Sequence, residues 1–195
     1  KLVDYLLKEG YNNITVLDIS EKAIAKAKKR LGEKASKVNW IVSDITEFEP
    51  DTSFDVWHDR ATFHFLTTDD QIKKYTNIAT KFVRGYLIIG TFSQNGPKKC
   101  SGLEIKQYNE EELTSELKKG FDKIRCVSED HTTPFNTIQN FLFCSFKRHF
   151  GFFLVKLPIL RPLPAERIIA FLIITYQKIL STKVQHLVTS KSFFH

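Results

Sequence analysis

The chain has 195 residues, 42% of them hydrophobic and 13% aromatic, which is enough to bury one core and excludes disorder throughout. The formal net charge is +7, but residues 149–195 carry +5 of it and leave only +2 for the rest. A nucleic-acid-binding domain would need a basic face of its own, so nucleic acid is an unfavoured partner. The three cysteines are widely spaced and form no metal-ligand pattern, which indicates a reducing compartment and no metal site.

The beginning of the chain is unusual. It starts at Lys1, and the sequence contains no methionine. We therefore expect the natural amino terminus, with any targeting signal, to be missing. A cytoplasmic location is the expectation that remains.

Helical and extended patterns alternate along the first half of the chain. Ser20 is placed to cap a helix, and Thr68 and Gln71 form a capping box. The predicted elements are a helix ending at Gly10, a strand over 14–19, a helix after Ser20, strands over 38–42 and 54–57, a helix after Thr68 and a strand over 86–91.

The second half continues this pattern. Residues 93–102 are rich in turn formers and predict a long loop. Asn109 and Glu112 predict the start of a short helix that ends at Gly120, and residues 123–128 and 138–146 read as two closing strands. Alternation of this kind predicts an α/β fold, with a mostly parallel sheet and helices on both faces.

The character of the sequence changes after Arg148. Three of the six prolines lie at 158, 162 and 164, and the longest uncharged, apolar-rich run, Ile168 to Gln177, is far shorter than the roughly 20 residues that span a membrane. We therefore divide the chain into a domain, 1–148, and a basic, apolar tail, 149–195. The tail is expected to be a packing helix or unstructured, with contact to a membrane surface as the alternative.

One stretch is the candidate for chemistry. Residues 54–66, FDVWHDRATFHFL, begin as a short apolar strand and turn polar at His58, Asp59 and Arg60. In an open α/β sheet, ligands bind outside the carboxyl ends of the strands. We therefore expect these three side chains to follow the strand and to lie at a ligand site.

The order of these features resembles the class I S-adenosylmethionine-dependent methyltransferases over residues 1–148. Two of the matching features are acids: Asp18 ends one strand, and Asp44, with Ile45 behind it, follows the next strand. The others are the stretch 54–66 as the family's fourth strand with its loop, the strand LIIGTF, the loop GPKKCSG and the closing pair of strands. No single match is specific, and the order carries the resemblance. It implies a Rossmann-like sheet with an antiparallel closing strand.

The resemblance also implies a cofactor, S-adenosylmethionine, and four residues that bind it. A carboxylate offers two acceptor oxygens, so Asp18 would hold the two ribose hydroxyls, with Ile19 beside the adenine. Asp44 would accept from the adenine amino group, with Ile45 as its apolar neighbour. The alternatives are that Asp18 caps the next helix and that Asp44 is an ordinary loop acid.

The chain departs from the family in two places. The family's first strand and its glycine-rich loop, which lets the backbone approach the methionine end of the cofactor, have no counterpart before residue 14. The link Arg84-Gly85 is shorter than the usual proline-glycine turn. The first departure bears directly on cofactor binding by this chain.

Methyl transfer requires alignment of a nucleophile and, where the nucleophile is protonated, a base. His58 has a suitable unperturbed pKa, with Asp59 as the other candidate, and Arg60 could hold an anionic group of a small-molecule or protein acceptor. Asp59 and Arg60 could instead pair with each other. His64, between Phe63 and Phe65, is expected to belong to the core. The acceptor and the oligomeric state are left open.

Two other functions stay open. A nicotinamide-dependent oxidoreductase could use a similar sheet, although no tyrosine here has a lysine four positions later, as the short-chain type requires. The second is a non-catalytic remnant that acts as a binding module through its tail or its sheet edge.

Overall fold

The computed structural model describes residues 2–133, 136–149 and 169–174, without the side chain of residue 174. Four helices lie in these ranges: α1 (Leu2–Lys8), α2 (Glu21–Leu31), α3 (Asp69–Phe82) and α4 (Glu110–Leu117). The strands in these ranges are β1 (Asn13–Asp18), β2 (Val38–Val42), β3 (Phe54–Arg60), β4 (Val83–Phe92), β5 (Lys99–Cys100), β6 (Leu103–Glu104), β7 (Phe121–Thr132), β8 (Ile138–Arg148) and β9 (Ile169–Ile174).

Seven strands form one twisted sheet in the order β2-β1-β9-β3-β4-β8-β7, and β5 pairs with β6 in a separate hairpin. The five strands from β2 to β4 are parallel, whereas β8 is antiparallel to both of its neighbours. This arrangement confirms the predicted α/β fold and its antiparallel closing strand. The carboxyl ends of β1, β2 and β3 meet at one edge of the sheet, where ligands bind in such folds.

The centre of the sheet is filled by a strand from the predicted tail. β9 pairs in parallel with β1 on one side and with β3 on the other, and its Phe171 side chain is fully buried. Asp55 Oδ2 accepts a hydrogen bond from the backbone N–H of Ile169 at 2.8 Å. The expectation of a packing helix or an unstructured segment is therefore wrong for residues 169–174. This β-branched and aromatic run pairs as a strand with the backbone of both neighbouring strands. The rest of the tail lies outside the described residues.

The helix starts follow the predicted caps. Ser20 accepts from Ala23 N at the start of α2, and full capping boxes start α3 and α4 at Thr68 and Asn109. Each side-chain oxygen satisfies a backbone N–H that the first helical turn leaves without a partner. These local signals need no tertiary context, which explains why the sequence located them.

Two strand boundaries differ from the prediction. β3 continues through Arg60, and β4 begins at Val83, so Arg84 and Gly85 lie inside a strand rather than in a link. Arg84 forms an ion pair with Asp55 on β3, and a Cβ at Gly85 would come within 2.3 Å of the Asp55 carbonyl oxygen. This close approach of two backbones is possible only with glycine.

The core lies on both faces of the sheet. The main cluster packs between the sheet and helices α3 and α4, and it includes Trp57, Tyr75 and Phe171. A second cluster, with Val16 and Leu172, packs against α1 on the opposite face. We call these the α3 face and the α1 face.

Two of the cysteines form a disulfide that the sequence did not predict. Cys126 and Cys144 lie directly opposite each other on β7 and β8 and are bonded, with their Cα atoms 4.1 Å apart. Their separation of 18 residues is closed by the register of the hairpin, which spacing alone does not reveal. Cys100 is a buried thiol outside this bond.

Within the described ranges, no helix is long and apolar enough to cross a membrane. The same residues contain no group of three His, Cys, Asp or Glu side chains that could hold a metal ion.

Candidate functional site

The carboxyl ends of β1 and β2 combine a buried acid with exposed apolar side chains. Asp18 is only 4% exposed, whereas Ile19 is 64% exposed and Val42 is 52% exposed. Asp18 and Val42 are partners in the parallel ladder, and Ser43 N donates to the Asp18 carbonyl oxygen at 3.3 Å. An apolar surface left in water beside a buried carboxylate is the pattern of a ligand site rather than of a finished core.

The Asp18 carboxylate has one acceptor oxygen in use among the described residues. Its Oδ1 accepts from Ser20 N at 2.8 Å, while the first turn of α2 is capped by the Ser20 side chain. Burial raises the pKa of Asp18 to about 6, and the hydrogen bond from Ser20 opposes that rise. The group is therefore mostly ionised at neutral pH and can accept further hydrogen bonds.

Asp44 and Ile45 play different parts in the loop after β2. Asp44 Oδ1 accepts from both the backbone N–H and the hydroxyl of Thr46, each at 2.8 Å, and so caps the short 3-10 turn Ile45–Glu47. Asp44 is exposed at the sheet edge, but Ile45 is 3% exposed and belongs to the main core. The Ile45 side chain is thus turned away from any ligand at this edge.

Strand β3 separates the three predicted catalytic side chains. Because β3 continues through Arg60, its side chains alternate between the two faces of the sheet. His58 is in register with Leu172 of the α1 face, so His58 and Arg60 lie on that face together with Asp18. Asp59 is in register with Ile173 and lies on the α3 face. The structure therefore does not bring Asp59 together with the other two, and the alternative of an Asp59–Arg60 ion pair is not realised.

His58 is closed off from solvent. It is 2% exposed, and its Nδ1 has no hydrogen-bond partner among the described residues. Burial, followed by the charge of Arg60, lowers the pKa of His58 to about 4. The imidazole is neutral at pH 7, but a ligand at the sheet edge does not reach it in this conformation.

Arg60 is the member of this trio that stays at the site. Its side chain is half-buried on the same face as Asp18, one strand away from β1 across β9. Burial lowers its pKa from the ordinary value of arginine, but the group remains charged. Of the three candidates, Arg60 is therefore the one that lies at this edge as a charged group, and its charge is positive.

His64 is a core residue, as predicted. Its ring is fully buried and stacks on Phe92 with the centroids 4.6 Å apart. Neither ring nitrogen has a partner among the described residues, and burial lowers the pKa of His64 to about 3. Its role is packing of a neutral ring, at some cost in unsatisfied hydrogen bonds.

Two features of the site were missed by the sequence. Val42 joins Ile19 as an exposed apolar neighbour of Asp18, which only the register of β1 and β2 reveals. Ala61, directly after β3, has a positive φ of 64°, a conformation that non-glycine residues seldom adopt and that is typical of functional loops. No residue type in the sequence signals this bend.

Sequence comparison places the first part of the chain in a known family. Residues 1–84 match the family described as "Methyltransferase domain". The chain is 34% identical over 74 residues to the eEF1A lysine and N-terminal methyltransferase of Bos taurus, which covers 37% of this chain and 11% of that protein. It is 36% identical over 90 residues to the malonyl-[acyl-carrier protein] O-methyltransferase of Anoxybacillus flavithermus, covering 45% of this chain and 33% of that protein. The chain thus spans a third or less of the length of these relatives.

Solved structures share the fold at low identity. The 1,6-didemethyltoxoflavin-N1-methyltransferase of Burkholderia thailandensis superposes with a TM-score of 0.58 at 20% identity, covering 76% of this chain and 66% of that one. The N-methyltransferase NodS of Bradyrhizobium japonicum, in complex with S-adenosyl-L-homocysteine, gives 0.53 at 15% identity, covering 75% and 83%. Residues 1–84 thus resemble a methyltransferase domain, and the described chain shares the fold of these solved methyltransferases.

Proposed function

We propose that the domain binds S-adenosylmethionine at the carboxyl edge of β1 and β2 and transfers its methyl group to a small molecule or a protein side chain. The observation that carries the proposal is the buried, largely ionised Asp18 between the exposed side chains of Ile19 and Val42. A ribose needs an acceptor for two hydroxyls, and an adenine ring needs apolar surface on its faces. Both requirements meet here.

The four predicted cofactor residues contribute in different ways. Asp18 would hold the ribose, with Ile19 and Val42 as the surface for the adenine. Asp44 would accept from the adenine amino group through the carboxylate oxygen that Thr46 does not occupy. The side chain of Ile45 is buried, so its contribution would be limited to its backbone. The bound cofactor would supply a methyl group already activated on a sulfonium.

The methionine end of the cofactor has less support. The central strand β9 ends at Ile174, and the sequence from there to residue 195 contains no glycine. The close backbone approach of a glycine-rich loop depends on glycine, and this stretch of sequence supplies none. We therefore expect the nucleoside half to provide most of the binding free energy, so that adenosine competes with the cofactor at comparable concentrations.

On the acceptor side, Arg60 is the residue that we propose to contact the substrate. Its guanidinium can bind a carboxylate or phosphate in bidentate fashion. His58 would act as a base only if the site opened, because it is 2% exposed. The named relatives act on a protein and on an acyl-carrier-protein-bound substrate, which supports either kind of acceptor and selects neither.

Calorimetric titration with S-adenosyl-L-homocysteine tests the proposal. We expect binding by the full chain and a loss of about 10- to 100-fold in Asp18→Ala, as for removal of a charged hydrogen-bond acceptor. Asp51→Ala is the matched control, because Asp51 is an exposed acid in the turn before β3. Absence of heat with the folded wild-type chain would favour the non-catalytic binding module. No observation favours the oxidoreductase.

Two further expectations remain predictions. Membrane-surface contact by the tail falls mostly outside the described residues. A cytoplasmic location is likewise untested, and the Cys126–Cys144 bond does not support it, since disulfides are rare in that compartment.

A further inference from the structure

Asp59 lies in a place where a carboxyl group is costly. It is fully buried, and the residues in register with it on β9 and β4 are Ile173 and Ile89. A carboxyl group at such a position destabilises the core unless it makes compensating hydrogen bonds. The contacts of Asp59 therefore indicate what it does.

These contacts join β3, the loop after it and helix α3. Asp59 Oδ1 accepts from Thr62 N at 3.0 Å, a bond that spans the bend at Ala61. Tyr75, on α3, packs on Phe63 of this loop with ring centroids 4.9 Å apart, and its hydroxyl accepts from Trp57 Nε1 at 3.2 Å. This hydroxyl lies beside Asp59, whose Oδ2 has no hydrogen-bond partner among the described residues. Since the indole already donates to this hydroxyl, the phenol proton is left to be donated to that carboxylate oxygen.

The bend that Asp59 spans determines where the chain leaves the sheet. Ala61 has its positive φ of 64°, and its backbone N–H donates to the carbonyl oxygen of Gly90 at 2.8 Å. Such a conformation persists only where the surrounding contacts enforce it. Arg60, the proposed acceptor contact, is the residue between Asp59 and this bend.

We propose that Asp59 and Tyr75 form a latch that holds the loop Ala61–Leu66 in its strained bend and thereby positions the guanidinium of Arg60 at the carboxyl edge. Asp59 is then a positioning residue, and not the general base that the sequence suggested. The role of Arg60 in this inference rests on the proposed function, but the latch itself does not.

The latch is also expected to respond to pH. Burial raises the pKa of Asp59 to about 7, and the neighbouring Tyr75 hydroxyl and the loop backbone amides oppose that rise. The other ionisable group that faces it from a packed element is the Tyr75 hydroxyl, whose pKa burial and the Asp59 charge hold well above its usual range. Because an ionised carboxylate is the stronger acceptor, the bond to Thr62 N tightens above neutral pH.

Amide hydrogen exchange, read residue by residue by NMR, tests the latch in the full chain. Asp59→Leu removes the acceptor, and we expect Thr62 to lose about tenfold or more of its protection, relative to its intrinsic exchange rate, along with Ala61. Asp59→Asn retains an acceptor oxygen, so Thr62 should keep most of its protection in that variant. Tyr75→Phe should weaken protection at Thr62 with α3 unchanged. Thr91→Val is the control, because it removes a buried hydroxyl without a partner from the same face.

Equal protection of Thr62 in Asp59→Leu and wild type would overturn the proposal, as would equal loss in Asp59→Asn and Asp59→Leu. If Asp59→Leu does not fold, the pair Asp59→Asn and Tyr75→Phe decides, since the latch requires loss in the second and retention in the first. Failure of S-adenosyl-L-homocysteine to bind wild type would reject the proposed function and leave this result untouched.

Discussion

At the carboxyl edge of the sheet, the ends of β1 and β2 differ from the end of β3. The sequence shows the same pattern at both places, an apolar run followed by polar residues, but the structure exposes the first and buries the second. β1 ends at Asp18 and β2 ends at Val42, before its polar residues, and Ile19 and Val42 stay in water beside Asp18. At β3, the strand runs on, and His58, Asp59 and His64 are all buried. We call these the open end and the closed end. A polar residue after an apolar run marks a ligand site only if the strand ends there.

The two ends are joined by β9, so the largest expected effect comes from this strand. Phe171 contacts Phe48, Phe54 and Trp57 with ring centroids 4.0–5.1 Å apart. Phe171→Asp removes this packing and buries a charge, which costs more than the roughly 5 kcal/mol by which many domains are stable. We expect circular dichroism to show an unfolded chain.

The control for this substitution is Ile138→Asp, at a side chain that is 69% exposed, which should leave the chain folded. A cooperative thermal transition in Phe171→Asp, close to that of wild type, would contradict the central position of β9.

The closed end should be sensitive to acid. The folded-state pKa of His64 is about 3, below its ordinary value of 6.5, so the unfolded chain binds the proton first as pH falls. The contribution of His64 to the free energy of unfolding is fully present above about pH 6.5. It falls by roughly 3 kcal/mol between that pH and pH 4. We expect His64→Leu to remove this part of the loss in urea unfolding at pH 7 and pH 4.

The His64→Leu variant still loses some stability at acid pH, because His58 has a folded-state pKa of about 4. His149→Leu is the control, because His149 is a partly exposed side chain paired with Asp122. The same pH dependence in His64→Leu and wild type would show that the ring is not held neutral.

Asp59 should act in the opposite direction. Its folded-state pKa of about 7 exceeds the ordinary 3.8, so the folded chain holds the proton more tightly than the unfolded chain does. The contribution of Asp59 to the free energy of unfolding is fully present below about pH 4. Roughly 4 kcal/mol of it is lost as the pH rises to 7. Asp59→Asn should therefore gain stability over wild type between pH 4 and pH 7.5.

Urea unfolding of both proteins at the two pH values measures this gain, and Asp51→Asn should show none. A constant difference between Asp59→Asn and wild type across this range would mean that Asp59 ionises normally.

The smallest expected effect is at the outer part of the open end. Asp44 is exposed and already caps its own turn, so Asp44→Ala should weaken S-adenosyl-L-homocysteine binding only several-fold, less than Asp18→Ala does. Calorimetry of the two variants side by side gives the comparison. A larger loss in Asp44→Ala than in Asp18→Ala would reverse the assigned roles of ribose and adenine contacts.

Local signals were sufficient for the helices and for most strands. Ser20, Thr68 and Asn109 marked helix starts because capping depends on a few neighbouring residues. β9 could not be predicted, because its neighbours β1 and β3 are distant in sequence and a short apolar run is compatible with helix or strand. The same holds for the Cys126–Cys144 bond.

The site was predictable in part. Asp18 and Asp44 were placed correctly at the sheet edge, since an acid after a strand faces that edge if the strand ends. The burial of His58 and Asp59 was not predictable, because it depends on three extra residues in β3 and on Tyr75 from another element. Period-two alternation then decides which side chain faces which layer.

The most direct test of the open and closed ends is an NMR titration of the folded chain with S-adenosyl-L-homocysteine. We expect the backbone amide signals of Ile19, Val42 and Asp44 to shift on binding, whereas those of Thr62, Phe63 and His64 stay close to their free positions. Shifts centred on the loop after β3, with Ile19 and Val42 unchanged, would contradict this expectation.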